Sequence, residues 1–165
     1  MNYFDHSATT PIHPEVLDLV HSIQKNVYGN PSSIHSRGRK ARSVIENARN
    51  QVAKSIGAKS NQIIFTSGGT EANNQVFWSF LNHAKKHVIS DTIEHPAVLK
   101  VLSQLSEHGI EHDLVTVSEK GRVSPADVES FIQENTGLIS IMLANNEVGT
   151  IQPIKQIINL AKEQD

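Results

Sequence analysis

Four short apolar runs, each followed by a stretch of helical periodicity, constrain this chain more than any other feature. Gln62–Thr66, His87–Ser90, Asp113–Val117 and Leu138–Leu143 read as buried strands, the last being the most strongly apolar. Between and after them, apolar residues recur at three- and four-residue steps, which is the spacing of one helix face. Such helices are expected over Thr70–Ala84, Pro96–His108 and Pro153–Lys162. A short helix should also open at Ser124, an N-cap residue followed by proline at the first helical position, and end near Glu134. Strands that alternate with helices require long crossovers, and these pair neighbouring strands in parallel. The expected fold is therefore α/β, a mostly parallel sheet with helices on both faces.

The first third of the chain reads differently. Pro14–Gln24 carries Val16, Leu17, Leu19, Val20 and Ile23, an amphipathic helix with proline at its start. Tyr28-Gly29-Asn30-Pro31-Ser32-Ser33 is a loop by composition. A long helix follows, with Ala41, Val44, Ile45, Ala48, Val52 and Ile56 on one face and Gly57 as its stop. The expected organisation is a helical segment over about residues 1–60 and an α/β part over about 61–165.

Composition excludes several function classes. Hydrophobic residues make up 38 % and charged residues 19 % of the chain, the balance of a soluble globular protein. A formal net charge of −2 gives no basic field for nucleic acid. No apolar run approaches the ~20 residues of a membrane span. The start, Met1-Asn2-Tyr3-Phe4-Asp5-His6, lacks the basic and apolar parts of a signal peptide, so a cytoplasmic location is expected. Cysteine is absent, which removes disulfides and thiolate metal sites. His83/His87 and His108/His112 are spaced by four, but each pair straddles an element boundary, so no metal site is expected.

Three polar segments follow predicted strands. Ser67-Gly68-Gly69-Thr70-Glu71 leads from a strand into a helix. Its glycines admit close approach of an anion, and the first helical turn offers unpaired N–H groups. Alone it is equally an ordinary turn with Thr70 as a cap. It matches neither the Walker loop nor the dinucleotide-binding glycine pattern. Asp91-Thr92-Ile93-Glu94-His95-Pro96 places an imidazole at a strand end, where it suits stacking on a planar ring or moving a proton; alone it is equally a surface histidine near a helix start. Leu143-Ala144-Asn145-Asn146-Glu147-Val148-Gly149 offers Asn146 as a hydrogen-bonding group, or is simply a polar turn. Three such loops at the carboxyl edge of one sheet say more than any one, since open α/β folds bind ligands there.

With these residues in place, the chain resembles the cysteine desulfurases of the class V aminotransferase group, within fold type I of the pyridoxal-phosphate (PLP) enzymes. The matching stretches are Phe4-Asp5-His6-Ser7-Ala8-Thr9-Thr10-Pro11, Gly29-Asn30-Pro31-Ser32-Ser33 with His35 and Gly38, Phe65–Asn74, Glu94-His95 with Ala97-Val98, and Asn145-Asn146-Glu147 with Gly149. The resemblance implies the N-terminal part of the PLP-binding large domain of such a transferase. It implies conversion of L-cysteine to L-alanine with an enzyme persulfide, and sulfur delivery to acceptor proteins for iron–sulfur clusters and thio-cofactors. Sheet strands and helix faces left uncovered in this stretch promote association, so a homodimer or higher oligomer, or weak stability, is expected. The resemblance also implies that Gly69 and Thr70 hold the cofactor phosphate. His95 would stack on the ring and serve in acid–base steps, and Asn146 would contact the cofactor's phenolic oxygen or the substrate carboxylate region. The family's cofactor-binding lysine and persulfide cysteine have no counterpart among these 165 residues, so the chain alone is expected to be inactive. Other readings are another class V enzyme, a selenocysteine lyase or an aminotransferase, or a non-catalytic fragment.

Overall fold

Val88 and Ile89 are adjacent on one strand and fully buried on opposite faces of it. That alternation is the two-residue period of a strand covered on both sides. The strand is β1 (His87–Asp91), all five residues of which are buried. It is the centre of a three-stranded sheet of order β2-β1-β3, in which β2 is Glu111–Val115 and β3 is Thr136–Ile139. Both neighbours run parallel to β1, with Ile89 opposite Asp113 on one side and Ile139 on the other. The computed structural model describes residues 2–163.

Helices cover both faces, as the alternating pattern predicts. On the Val88 face lie α3 (Gly69–Ser79), the 3-10 turn Phe80–Asn82 and α4 (Pro96–Ser106). Helix α4 buries Val98, Val101, Leu102 and Leu105, an i, i+3, i+4, i+7 stripe facing the sheet. On the Ile89 face lie α5 (Pro125–Ser130) and α6 (Ile154–Lys162), which contribute Val128 and Ile157. Ser124 caps α5 as expected, its Oγ accepting from the Asp127 amide at 3.4 Å. These elements belong to a compact unit running from Thr66 onward.

The preceding unit, Met1–Phe65, contains α1 (Pro14–Asn26) and α2 (Ser36–Ser55). His35 caps α2, its Nδ1 accepting from the Gly38 amide at 3.3 Å. Gly38 is buried because the 30–33 loop crosses directly over it. A Cβ there would collide with the Ser33 and Asn30 carbonyl oxygens. Helix α1 buries none of its side chains, and Val16, Leu17, Leu19 and Val20 stay exposed.

Three strand expectations are corrected. Gln62–Thr66 is not a strand: Ser60–Gln62 forms a 3-10 turn, and the backbone beyond it joins no ladder. A strand exists only by pairing, and here Arg49 takes the partner's place. Its guanidinium donates to the Ile63 carbonyl and lies 5.0 Å from the centre of the Phe65 ring. The second strand begins at Glu111 rather than Asp113, because the Lys86 carbonyl accepts from the Glu111 amide and starts the ladder earlier. The Leu138–Leu143 run enters the sheet at Thr136 and leaves after Ile139. Its tail turns into a loop, pinned where Ala144 bridges Ile151 in antiparallel fashion.

Candidate functional site

The chain runs from β1 outward to β2, then returns across β1 to β3. After β1 it feeds α4 on one face; after β3 it feeds α6 on the other. Between β1 and β3 the two connections therefore diverge, and a crevice opens at the carboxyl edge of the strands. This is the topological switch point at which open α/β sheets bind ligands. A cleft of about 780 Å³ lies there, with Glu94, His95, Lys120, Asn146 and Glu147 among its lining residues. A groove of similar size, about 790 Å³, runs beside β3 past His83, Lys85 and Gly137, away from the predicted site residues.

The structure brings His95 and Asn146 onto one cleft, although they lie far apart in sequence. His95 is the N-cap of α4, its Nδ1 accepting from the Ala97 amide at 3.0 Å. A nitrogen that accepts carries no proton, so the neutral ring has its proton on Nε2. The cap thereby leaves Nε2–H as the ring's unengaged donor. Asn146 is exposed, and no hydrogen bond occupies its amide among the described residues.

Gly69 and Thr70 do not line this cleft. They open α3, whose N-cap is Gly68 and not Thr70. The far end of α3 meets the far end of α4, where Trp78 and His108 rings stand edge to face at 5.6 Å. The two helices thus lie side by side with their N-termini toward the same carboxyl edge. Ala72 donates to the Gly68 carbonyl, which leaves the first-turn amides before it without backbone partners. A Cβ at Gly68 or Gly69 would meet nothing within 4 Å, so the approach to these amides is open. Beside them Glu71 accepts from the Ser67 amide and hydroxyl at 2.7 and 2.6 Å. Those bonds hold its carboxyl below the usual range.

Two acids beneath the cleft were not singled out by the sequence. Asp91 ends β1 fully buried; its Oδ1 accepts from the Ile93 amide at 2.9 Å, and its Oδ2 has no partner. Burial pushes its carboxyl above the usual range. Glu94 is buried beside it and pushed the same way, first by burial and then by the Asp91 charge. The available signal was an aspartate closing an apolar strand.

This pair fixes a sign. The folded chain keeps protons on Asp91 and Glu94 that the unfolded chain has released, so their contribution to stability is greatest below the usual carboxylate range and is lost as pH rises through the raised values. Glu71 acts oppositely, its contribution fading as pH falls. Asp91→Asn removes a buried carboxyl whose ionisation opposes folding as pH rises. Its urea midpoint relative to the unaltered chain is expected to rise between about pH 5 and about pH 8. An offset that stays constant over that interval would refute the assignment.

Fold and cleft together define an α/β domain of the doubly wound kind, with a cleft at the carboxyl edge of its parallel sheet. The family model for class-V aminotransferases matches residues 2–165. The chain belongs to that family. It is 46 % identical over 166 residues to a cysteine desulfurase IscS of Dictyoglomus turgidum, covering 99 % of this chain and 42 % of that protein. Among solved structures, a NifS-like protein superposes with a TM-score of 0.93 at 38 % identity, over 99 % of this chain and 46 % of that one. SspA in complex with cysteine superposes equally well, at 37 % identity, over 100 % and 48 %. The chain thus spans less than half the length of these relatives. No helix among the described residues is long and apolar enough to cross a membrane.

Proposed function

We propose that this chain is the N-terminal part of a PLP-dependent cysteine desulfurase, which takes sulfur from L-cysteine and passes it to acceptor proteins. The observation that carries this reading is the meeting of His95 and Asn146 on one cleft at the switch point, with the open first turn of α3 at the same edge. The resemblance to cysteine desulfurases over nearly the whole chain supports it.

The residues present fit the cofactor. The unpaired amides around Gly69 and the Thr70 hydroxyl suit its phosphate, helped by the positive end of α3. Asn146 has a free amide donor for the cofactor's phenolic oxygen or the substrate carboxylate. His95 presents a flat ring for stacking, and in its neutral form Nε2–H is a hydrogen-bond donor. A proton taken up in an acid–base step goes to Nδ1, so the Ala97 amide must release that nitrogen when His95 acts as a base. PLP, when bound, supplies the electron sink that lets the bonds at the substrate's α-carbon break. We place the whole protein as a homodimer, a reading supported by the exposed apolar face of α1.

The test uses the protein carrying this chain at its relatives' full length. Supplied with PLP, L-cysteine and a thiol reductant that cleaves the persulfide, it should release sulfide and alanine in equal amounts. His95→Ala should lower kcat by about 10²–10⁴-fold, the usual contribution of a positioned acid–base group. It also removes a helix cap worth about 1 kcal/mol. His95→Asn separates the two effects, since its side chain can still cap but cannot shuttle a proton; stability should recover and turnover should not. Release of selenium but not sulfur, or amino transfer to a keto acid, would replace this reading with another class V activity.

A further inference from the structure

We propose that Asn145, rather than the neighbouring Asn146, is the residue that sets the spacing between the two sides of the cleft, acting as a positioning latch for His95. It rests on the reading of His95 and Asn146 as the cofactor-facing pair. Asn145 is only 8 % exposed, and every polar group it has is engaged. Its Nδ2 donates to the Ile93 carbonyl at 3.1 Å, across from the 145–149 turn to the loop that carries His95. Its Oδ1 accepts from the Glu147 and Val148 amides, both at 2.9 Å, folding the turn that displays Asn146. Its own amide donates to Thr150, and its carbonyl accepts from Gly149. One side chain therefore shapes the 145–149 turn with its acceptor and ties that turn to the 92–95 loop with its donor.

The remaining contacts support a division of labour. Gln152, also buried, holds the same loop on its other side. Its Oε1 accepts from the Val123 amide at 2.9 Å, and its Nε2 donates to the Gly121 carbonyl at 2.7 Å. Gln152 thus fixes the turn to the 117–123 hairpin, and Asn145 fixes it to the His95 loop. The Ile93 amide is bonded to Asp91 and the His95 amide to Glu94. The His95 loop is therefore stiff enough for a pull at the Ile93 carbonyl to reach His95.

Asn145→Asp separates the two halves of the latch. A carboxylate keeps the acceptor for Glu147 and Val148 but loses the donor to Ile93. In the 165-residue chain without cofactor, backbone amide exchange of Ile93 and His95 should quicken about tenfold, while that of Glu147 and Val148 changes little. The His95 imidazole resonances should move as well, a readout that general loosening of the turn would not produce. Asn145→Ala should quicken all four amides. Unchanged Ile93 and His95 amides in the Asp variant, or equal quickening along the whole chain, would overturn the proposal. Should either variant fail to fold, exchange in the unaltered chain decides. The latch requires these four amides to open together, and independent opening would overturn it. No cofactor enters these measurements, so failure of the full-length protein to take up PLP would remove the functional reading and leave the latch standing.

Discussion

Mixed with PLP, L-cysteine and a thiol reductant, the 165-residue chain is expected to release no sulfide beyond that released by PLP alone. The proposed reaction ends with substrate sulfur bonded to an enzyme cysteine, because a thiolate is the attacking group. The chain contains no cysteine. The cofactor would also be held by far less than in a whole enzyme. Among the residues lining the cleft, Lys120 is the one lysine, and it stands exposed at the tip of the 117–123 hairpin. The first turn of α3 supplies a few hydrogen bonds to a phosphate, each worth about 1.5–3 kcal/mol when one partner is charged. Sulfide and alanine produced above the PLP control, at a rate proportional to chain concentration, would contradict the expectation. So would a protein-bound persulfide found by mass spectrometry.

The largest expected effect on stability comes from the Val88 face of the sheet. Leu105 has 0 % exposure, at the centre of a cluster with Phe77, Phe80, Val88, Val101, Leu102 and Ile110. Leu105→Ala removes three buried carbons and leaves a cavity that packed neighbours fill only in part. The expected loss is about 2–5 kcal/mol. That is a large part of the ~5–15 kcal/mol that holds a typical domain together. Trp78, the single tryptophan, packs against this cluster and gives a direct fluorescence signal for urea unfolding. Val76→Ala, on the exposed side of α3, should change stability by no more than about 0.5 kcal/mol. Equal losses for the two variants would show that the cluster is not the core of this unit.

Local chemistry made most of the helices legible. Pro96 after His95, Pro125 after Ser124, and the apolar stripe of α4 are signals carried within a few residues, and all three appear where expected. The alternation of elements likewise sufficed for a parallel sheet covered on both faces, because crossover connections leave little choice of pairing. His95 and Asn146 were legible as candidates because each follows a strand. Their meeting on one cleft follows from the strand order.

What the sequence left open depends on partners far along the chain. Gln62–Thr66 has the composition of a strand, but strand propensity expresses packing against neighbours, and Arg49 meets this segment instead. The true ends of β2 and β3 are set by the ladders each makes with β1, which no apolar run can specify by itself. His87 is buried because Asp113 and Thr136, from the two flanking strands, accept and donate around its ring. Asn145 and Asn146 are adjacent and chemically identical, yet the fold buries the first as a latch and exposes the second to the cleft. The sequence by itself determined the kinds of elements, their order and the residue types available at the carboxyl edge. Which of those residues face a ligand and which hold the loops in place was decided only by tertiary structure, because a buried polar group must find its hydrogen-bond partners wherever the chain brings them.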